Sequence, residues 1–178
     1  MRFLIIGIAL LFSGYGIASA QKFGFIDADI ILKQMPEYAK AENELSELSA
    51  GWEKEIGKMK AELDKMNADY KNEEILLTDD MKKERQAAIA DKEKALKDFQ
   101  RKTFGFDGLI FAKRQELMKP VQDKLYSAVE KVAKAKQLQV IFDRSSDLVM
   151  IYSNPIHDYT DYVLDELGLG DKNDTIQK

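Results

Sequence analysis

The chain of 178 residues has no cysteine, one histidine, one tryptophan and three prolines. Without cysteine there is no disulfide framework, no thiol nucleophile and no thiolate metal site. Stability must come from packing or assembly. The one histidine, His157, follows Pro155 at a helix start, a place for a surface or capping side chain rather than a general base. No glycine-rich loop is present to cradle a phosphate. The run Asp171-Lys-Asn-Asp-Thr175 resembles a calcium loop, but it lacks the central glycine and the closing glutamate. No enzyme, cofactor or bound metal is therefore expected. A net charge of −4 offers no basic surface to phosphate, so nucleic acid is not an expected partner.

Long apolar runs are also scarce. One extends from Phe3 to Phe12 and loosely on to Ile17, after Arg2 and before Ala18-Ser19-Ala20. This pattern predicts a secretory signal peptide over 1–20, cleaved before Gln21. Ser13, Gly14 and Gly16 interrupt the run, and it is short for a bilayer anchor, so no stable membrane insertion is expected after cleavage. No cysteine follows the cut, which excludes a lipoprotein. Removing Arg2 leaves the mature chain at −5.

What the chain has in abundance is helical periodicity between Pro36 and Lys136. Tyr38, Ala41, Leu45, Leu48, Trp52, Ile56, Met59, Leu63, Met66 and Tyr70 follow at steps of three or four, the pattern of a coiled-coil seam. At Leu76-Leu77-Thr78-Asp79-Asp80 the pattern breaks; Thr78 can cap a new helix, and the two aspartates complement its positive end. The seam resumes at Ile89, Lys92, Leu96, Phe99, Thr103, Phe106 and Ile110, then Leu117, Val121, Leu125, Ala128 and Val132. Two long helices joined by so short a loop must run antiparallel. Charge agrees with this. Residues 37–74 hold eleven acidic and six basic side chains, a net of −5, whereas 79–136 hold ten acidic and fifteen basic, a net of +5. Opposite net charge favours the folded-back hairpin over separate helices.

The seam carries defects. Gly51 and Gly57 flank a stutter at Leu48, Trp52 and Ile56. With a turn at 77–78, facing residues have numbers summing to about 155, which sets Gly51 against Phe104 and Trp52 against Thr103. At that height the second helix reads Phe104-Gly105-Phe106-Asp107-Gly108-Leu109-Ile110-Phe111. Each interior glycine costs about 1 kcal/mol of helix stability relative to alanine. The matched defects predict a mid-arm hinge at Gly51, Gly57, Gly105 and Gly108. One two-helix seam cannot bury Phe104, Phe106 and Phe111 together, so at least one aromatic should face outward. Pro120 should kink the second helix where the first begins, at Met35 and Pro36, which places the junction of arm and body there.

Before the arm, Lys22 to Asp27 reads as a short strand, and Asp27 or Asp29 can cap a helical turn through Ile30, Ile31 and Leu32. After it, Leu138–Asp143 and Leu148–Tyr152 read as two strands of a hairpin around Arg144-Ser145-Ser146-Asp147. Asp158 can cap a last helix that Gly168 stops. The expected fold is α+β and predominantly α: an antiparallel coiled-coil hairpin arm (36–119) on a small β-body (21–35 and 120–168), with a disordered tail (169–178). Three short strands leave two open edges and little core. Copies that close their sheets together would remove the edges.

This order of parts resembles the Skp/OmpH family of periplasmic chaperones, across essentially the whole mature chain. Its most specific pieces are Lys22-Phe-Gly-Phe-Ile-Asp27, the run Ile31-Leu-Lys-Gln-Met-Pro-Glu-Tyr38, and Val140-Ile-Phe-Asp143 with Leu148-Val-Met-Ile-Tyr152. The resemblance implies a periplasmic homotrimer whose β-body carries helical arms around a cavity, holding unfolded outer-membrane proteins without ATP. By matching positions it gives Phe23, Phe25, Val140, Phe142, Val149 and Ile151 to the body and trimer contacts. It gives Phe104, Phe106, Leu109 and Phe111 to a client-facing patch. Well-known enterobacterial members are strongly basic, whereas this chain is acidic, so lipopolysaccharide binding is not carried over. The alternative is an exported coiled-coil spacer or adaptor that docks one partner, for which the apolar tip at Leu76-Leu77 is suited.

Overall fold

A computed structural model describes residues 22–146 and 150–170. The expected signal peptide, Leu148 and Val149, the calcium-like run and the tail from residue 171 lie outside them. The chain opens with strand β1 (Phe23–Ile26) and a short helix α1 (Ala28–Gln34). Asp27 caps α1 by accepting from the Ile30 N–H at 3.0 Å. Pro36 then starts α2 (Pro36–Glu73), a helix of 38 residues, at a position where its missing N–H leaves no bond unmade. At roughly 1.5 Å per residue this helix spans about 57 Å. A 3-10 turn (Glu74–Leu76) forms the tip, and Thr78 caps α3 (Asp79–Phe104) by accepting from the Met81 N–H.

The return limb differs from the continuous helix expected. It is two helices, α3 and α4 (Leu109–Lys136), separated at Gly105–Gly108. Gly105 has an extended ψ of 174° and Asp107 sits in the left-handed region at φ 57°. Gly105 and Gly108 are therefore the caps of a break rather than weak points inside a helix. By contrast, α2 runs unbroken through Gly51 and Gly57. Pro120 also stands within α4, which continues through it.

The seam has the expected face and register. Ala41, Leu45, Leu63 and Leu96 are buried, and cross-limb contacts join Tyr70 to Gln86, Glu62 to Lys92 and Glu73 to Arg85. Trp52 meets Phe104 edge-on at 6.0 Å between ring centroids, one position away from the expected Thr103. Thr103 is fully buried, its hydroxyl donating to the Phe99 carbonyl at 2.8 Å. Phe106 is the seam residue that the structure corrects. It lies in the break and is 99% exposed, because the chain leaves the helix before reaching it.

After α4 the chain forms β2 (Val140–Asp143), which pairs with β1 in parallel, with Phe23 opposite Val140 and Phe25 opposite Phe142. The whole arm is the crossover that parallel pairing requires. Of the expected hairpin of Leu138–Asp143 with Leu148–Tyr152, the described part of the second run, Met150–Tyr152, has no strand pairing, and among the described residues the sheet has two strands. Asp143 accepts from the Ser145 N–H at 2.9 Å and from its hydroxyl, a local turn that carries the chain off the end of β2. A 3-10 turn (Pro155–His157) and helix α5 (Thr160–Glu166) follow. Asp158 accepts from both the Thr160 N–H and hydroxyl, and Gly168 closes the helix at φ 74°.

The main core lies where these parts meet. Ile26, Ile31, Met35, Ala41, Val121, Ala128, Val132, Val163 and Leu164 form one cluster, with Ile141 packed against it. One sheet face, both arm roots, α1 and α5 all contribute. A polar clasp holds the adjoining end of the sheet: Arg144 pairs with Asp27 at 3.1 Å and reaches Asp158 at 3.8 Å. Burial raises the Asp27 pKa, but the Ile30 N–H and the Arg144 guanidinium outweigh it and hold the carboxyl below its ordinary value. The depressed folded pKa means that this stabilisation is present above the unfolded pKa and is lost as pH falls through the folded one. Unfolding monitored from pH 6 to pH 3 should show stability falling below about pH 4. Asp27→Asn, which keeps the cap but not the charge pair, should flatten that acid limb.

Candidate functional site

Among the described residues, three apolar surfaces remain uncovered once the core is filled. The first surrounds the break in the return limb. Gly105 donates its N–H to the Arg101 carbonyl at 2.9 Å and accepts from the Gly108 N–H at 2.8 Å, a compact joint between two helix ends. Phe106 projects from this joint into solvent, while Phe104, Leu109 and Phe111 are each partly exposed around it. Phe104 gains one packing partner, the Trp52 ring across the arm. The structure thus gathers all four expected patch residues at one height.

The second surface is the outer sheet face. In a parallel pair, opposed residues share a face, so Phe23, Phe25, Val140 and Phe142 lie opposite the core side. Phe25 is buried within the chain beneath Arg144, whose guanidinium carbon lies 5.7 Å from the ring centroid. Phe23, Val140 and Phe142 stay half-exposed, and Ile151 is 97% exposed. Together with Met150, Tyr152 and His157, the three phenylalanines line a cleft of about 470 Å³. His157 packs its ring on Phe23 at 5.0 Å, a role that its position beside Pro155 did not reveal. The outer edge of β1 is partly covered, since the Tyr159 N–H donates to the Phe25 carbonyl at 2.8 Å. Among the described residues no strand pairs with the outer edge of β2.

The third surface is the tip, where Ile75 and Leu76 are 91% and 84% exposed. Reading the sequence placed Leu76 and Leu77 there, but Leu77 turns partly inward and Ile75 takes its place. Electrostatically the oppositely charged limbs are stitched together by ion pairs that run from one to the other. Lys124 hydrogen-bonds Glu37 and Lys92 hydrogen-bonds Glu62, and each holds its partner carboxyl below the ordinary range. Among the described residues no three histidine or carboxylate side chains are grouped to hold a metal ion, and no helix is long and apolar enough to cross a membrane.

A long hairpin arm rooted in a two-stranded parallel body, with apolar surface at its joint and on its sheet, defines an arm-and-body protein with exposed apolar groups available for contact. The chain belongs to the OmpH-like family, described as outer membrane protein (OmpH-like), which it matches over residues 22–167. Among solved structures it is similar to a candidate outer-membrane chaperone (OmpH-like) from Caulobacter crescentus CB15. The TM-score is 0.69 at 17% identity, over 90% of this chain and 94% of that one, a likeness of fold. No curated protein sequence matches the chain.

Proposed function

We propose that this protein is an ATP-independent holdase of the periplasm that binds unfolded outer-membrane proteins between its arms and keeps them from aggregating. The observation that carries the reading is the ring of apolar side chains around the arm's break, with Phe106 in open solvent. Exposing a large aromatic forgoes roughly 1.5–3 kcal/mol of burial, and nothing in the arm's own packing asks for phenylalanine there. A holdase without nucleotide needs many weak, adaptable apolar contacts, and a jointed limb beside a continuous one lets those contacts move. The hinge belongs at Gly105–Gly108. A stiff spacer would have no use for that joint, which favours the holdase over the adaptor.

Assembly is part of the proposal. The open edge of β2 and the half-exposed Phe23, Val140 and Phe142, with Ile151 beside them, suit closure of several bodies against one another. Three copies would set three arms around a cavity. Light scattering of the protein, alone and with a urea-diluted outer-membrane β-barrel protein, tests both points. The expected result is a trimer that keeps the client soluble in a discrete complex without nucleotide; a trimer that leaves the client to aggregate would overturn the holdase reading. In the same assay Phe106→Ser with Phe111→Ser should weaken client holding by about tenfold or more while leaving the oligomer intact. Phe104 is a poorer choice, because its loss would also unpack Trp52.

A further inference from the structure

The joint between α3 and α4 contains a reactive backbone step that its own geometry demands. Position 108 is held to glycine, because a Cβ there would meet the Thr103 carbonyl at 2.7 Å and the Gly105 carbonyl at 2.8 Å. Position 107 takes the left-handed conformation at φ 57°, which aspartate and asparagine tolerate best among residues that carry a side chain. The joint therefore calls for an Asp-Gly or Asn-Gly step, and Asp107-Gly108 is the one such step in the sequence. A glycine in the second position leaves its amide nitrogen open to the preceding side chain, having no Cβ to shield it. Asp107 is exposed, and among the described residues its carboxyl has no hydrogen-bond or ion-pair partner to hold it away. The nitrogen is the part that the fold controls. Gly108 is buried, and its N–H donates to the Gly105 carbonyl at 2.8 Å, so the nitrogen is engaged inside the joint while the joint is closed.

We propose that Asp107-Gly108 is the arm's site of succinimide-linked isomerisation, and that the closed joint restrains the reaction so that it proceeds when the joint opens. The Gly108 nitrogen attacks the side-chain carboxyl carbon of Asp107. An N–C bond forms, and the amide hydrogen leaves with the carboxyl hydroxyl as water. A second water opens the ring: attack at the side-chain carbonyl restores aspartate, and attack at the backbone carbonyl leaves an isoaspartyl link through the side chain. The balance is an isomerisation, with no other reactant. The isoaspartyl form carries an extra backbone carbon between Phe106 and Gly108, for which the close contact of Gly108 with Gly105 has no room. Each conversion is thus a covalent record of opening, and it unlatches the joint. The site rests on the joint alone and stands or falls apart from the holdase reading.

The test is to age the full chain in warm neutral buffer beside a synthetic peptide of residues 104–111, and to locate isoaspartate by digestion and electron-transfer fragmentation. In the folded chain it should form at Asp107 ahead of every other aspartate of the arm, and about tenfold or more slowly than in the peptide. Gly105→Ala, which forces the end of α3 apart, should raise the folded rate about tenfold toward that of the peptide. Asp107→Asn keeps a residue suited to the left-handed turn and reaches the same ring by losing ammonia. Its deamidation, read by intact mass, should show the same protection, however well Gly105→Ala folds. The isoaspartyl form, once separated, should unfold at lower urea than the fresh protein. Equal rates in folded chain and peptide, for the aspartate and the asparagine alike, would overturn the proposal. So would isoaspartate appearing first at another aspartate of the arm, or an unchanged rate in a folded Gly105→Ala variant.

Discussion

Gly51→Ala and Gly105→Ala are expected to move stability in opposite directions, although the two glycines sit at nearly one height of the arm. Gly51 lies inside α2 with open space where a Cβ would stand. Alanine there should add about 0.5–1 kcal/mol by removing the glycine's entropic cost in a helix. At Gly105 a Cβ would run into the carbonyl oxygen of Arg101, a backbone atom that cannot rotate away. Gly108 is as confined, with the Thr103 carbonyl 2.7 Å and the Gly105 carbonyl 2.8 Å from where its Cβ would lie. Fitting a methyl group would force the end of α3 to open, at a cost of about 1–3 kcal/mol, and Gly105→Ala with Gly108→Ala should cost more. Urea unfolding at fixed protein concentration measures both signs, the concentration being held because assembly shifts apparent stability. A neutral or stabilising Gly105→Ala would mean that α3 prefers to continue into α4. The joint on which client capture is argued would then have no steric basis.

The parts of this fold legible in the sequence are those fixed by period and by caps. The ten seam positions of α2 are all buried or half-buried, and the hairpin register follows from the position of its turn. Thr78 and Asp27 cap α3 and α1 as short polar side chains do when they precede an apolar repeat. That at least one mid-arm phenylalanine faces outward was legible because one seam cannot bury rings pointing several ways, and Phe106 is the one fully in solvent; the grouping of all four as a patch came from the family resemblance. The break was legible only as a weakness. Its fuller signal was Gly105-Phe-Asp-Gly108, two glycines around an aspartate, a residue that tolerates the left-handed conformation. The parallel sheet was hidden by a β-rich run at Leu148–Tyr152, which by composition looks like the natural partner of Val140–Asp143. Strand propensity reports fit to a pleated surface but does not name the partner. The arm between β1 and β2 is the long crossover that makes parallel pairing possible, and connection length was the cue to weigh.

Ile31→Ala should cost about 2–5 kcal/mol of stability, more than the glycine substitutions in the arm. Ile31 is fully buried and is the one buried residue of α1, a helix of seven residues whose further hold on the core is the partly buried Leu32. It packs in the cluster that joins Ile26 of β1, Ala41 of α2, Val121, Ala128 and Val132 of α4, and Val163 and Leu164 of α5. A cavity there loosens every element of the body at once, and a body so small cannot collapse around it. Ala41 and Val121 belong to the arm's own helices, so the arm is rooted in the core it rises from. Unfolding followed by far-ultraviolet circular dichroism and by tyrosine fluorescence from the body should therefore shift to lower denaturant together in the variant. Leu63→Ala, at a seam position far out on the arm, should fall near the lower end of the same range, because a two-helix seam leaves fewer neighbours to lose. If Ile31→Ala cost less than about 1 kcal/mol, or if helix content survived while the body signal moved, the arm would be holding itself together. The shared core would then not be what fixes the arm's direction, and a cavity formed between several such arms would lose its rigid base.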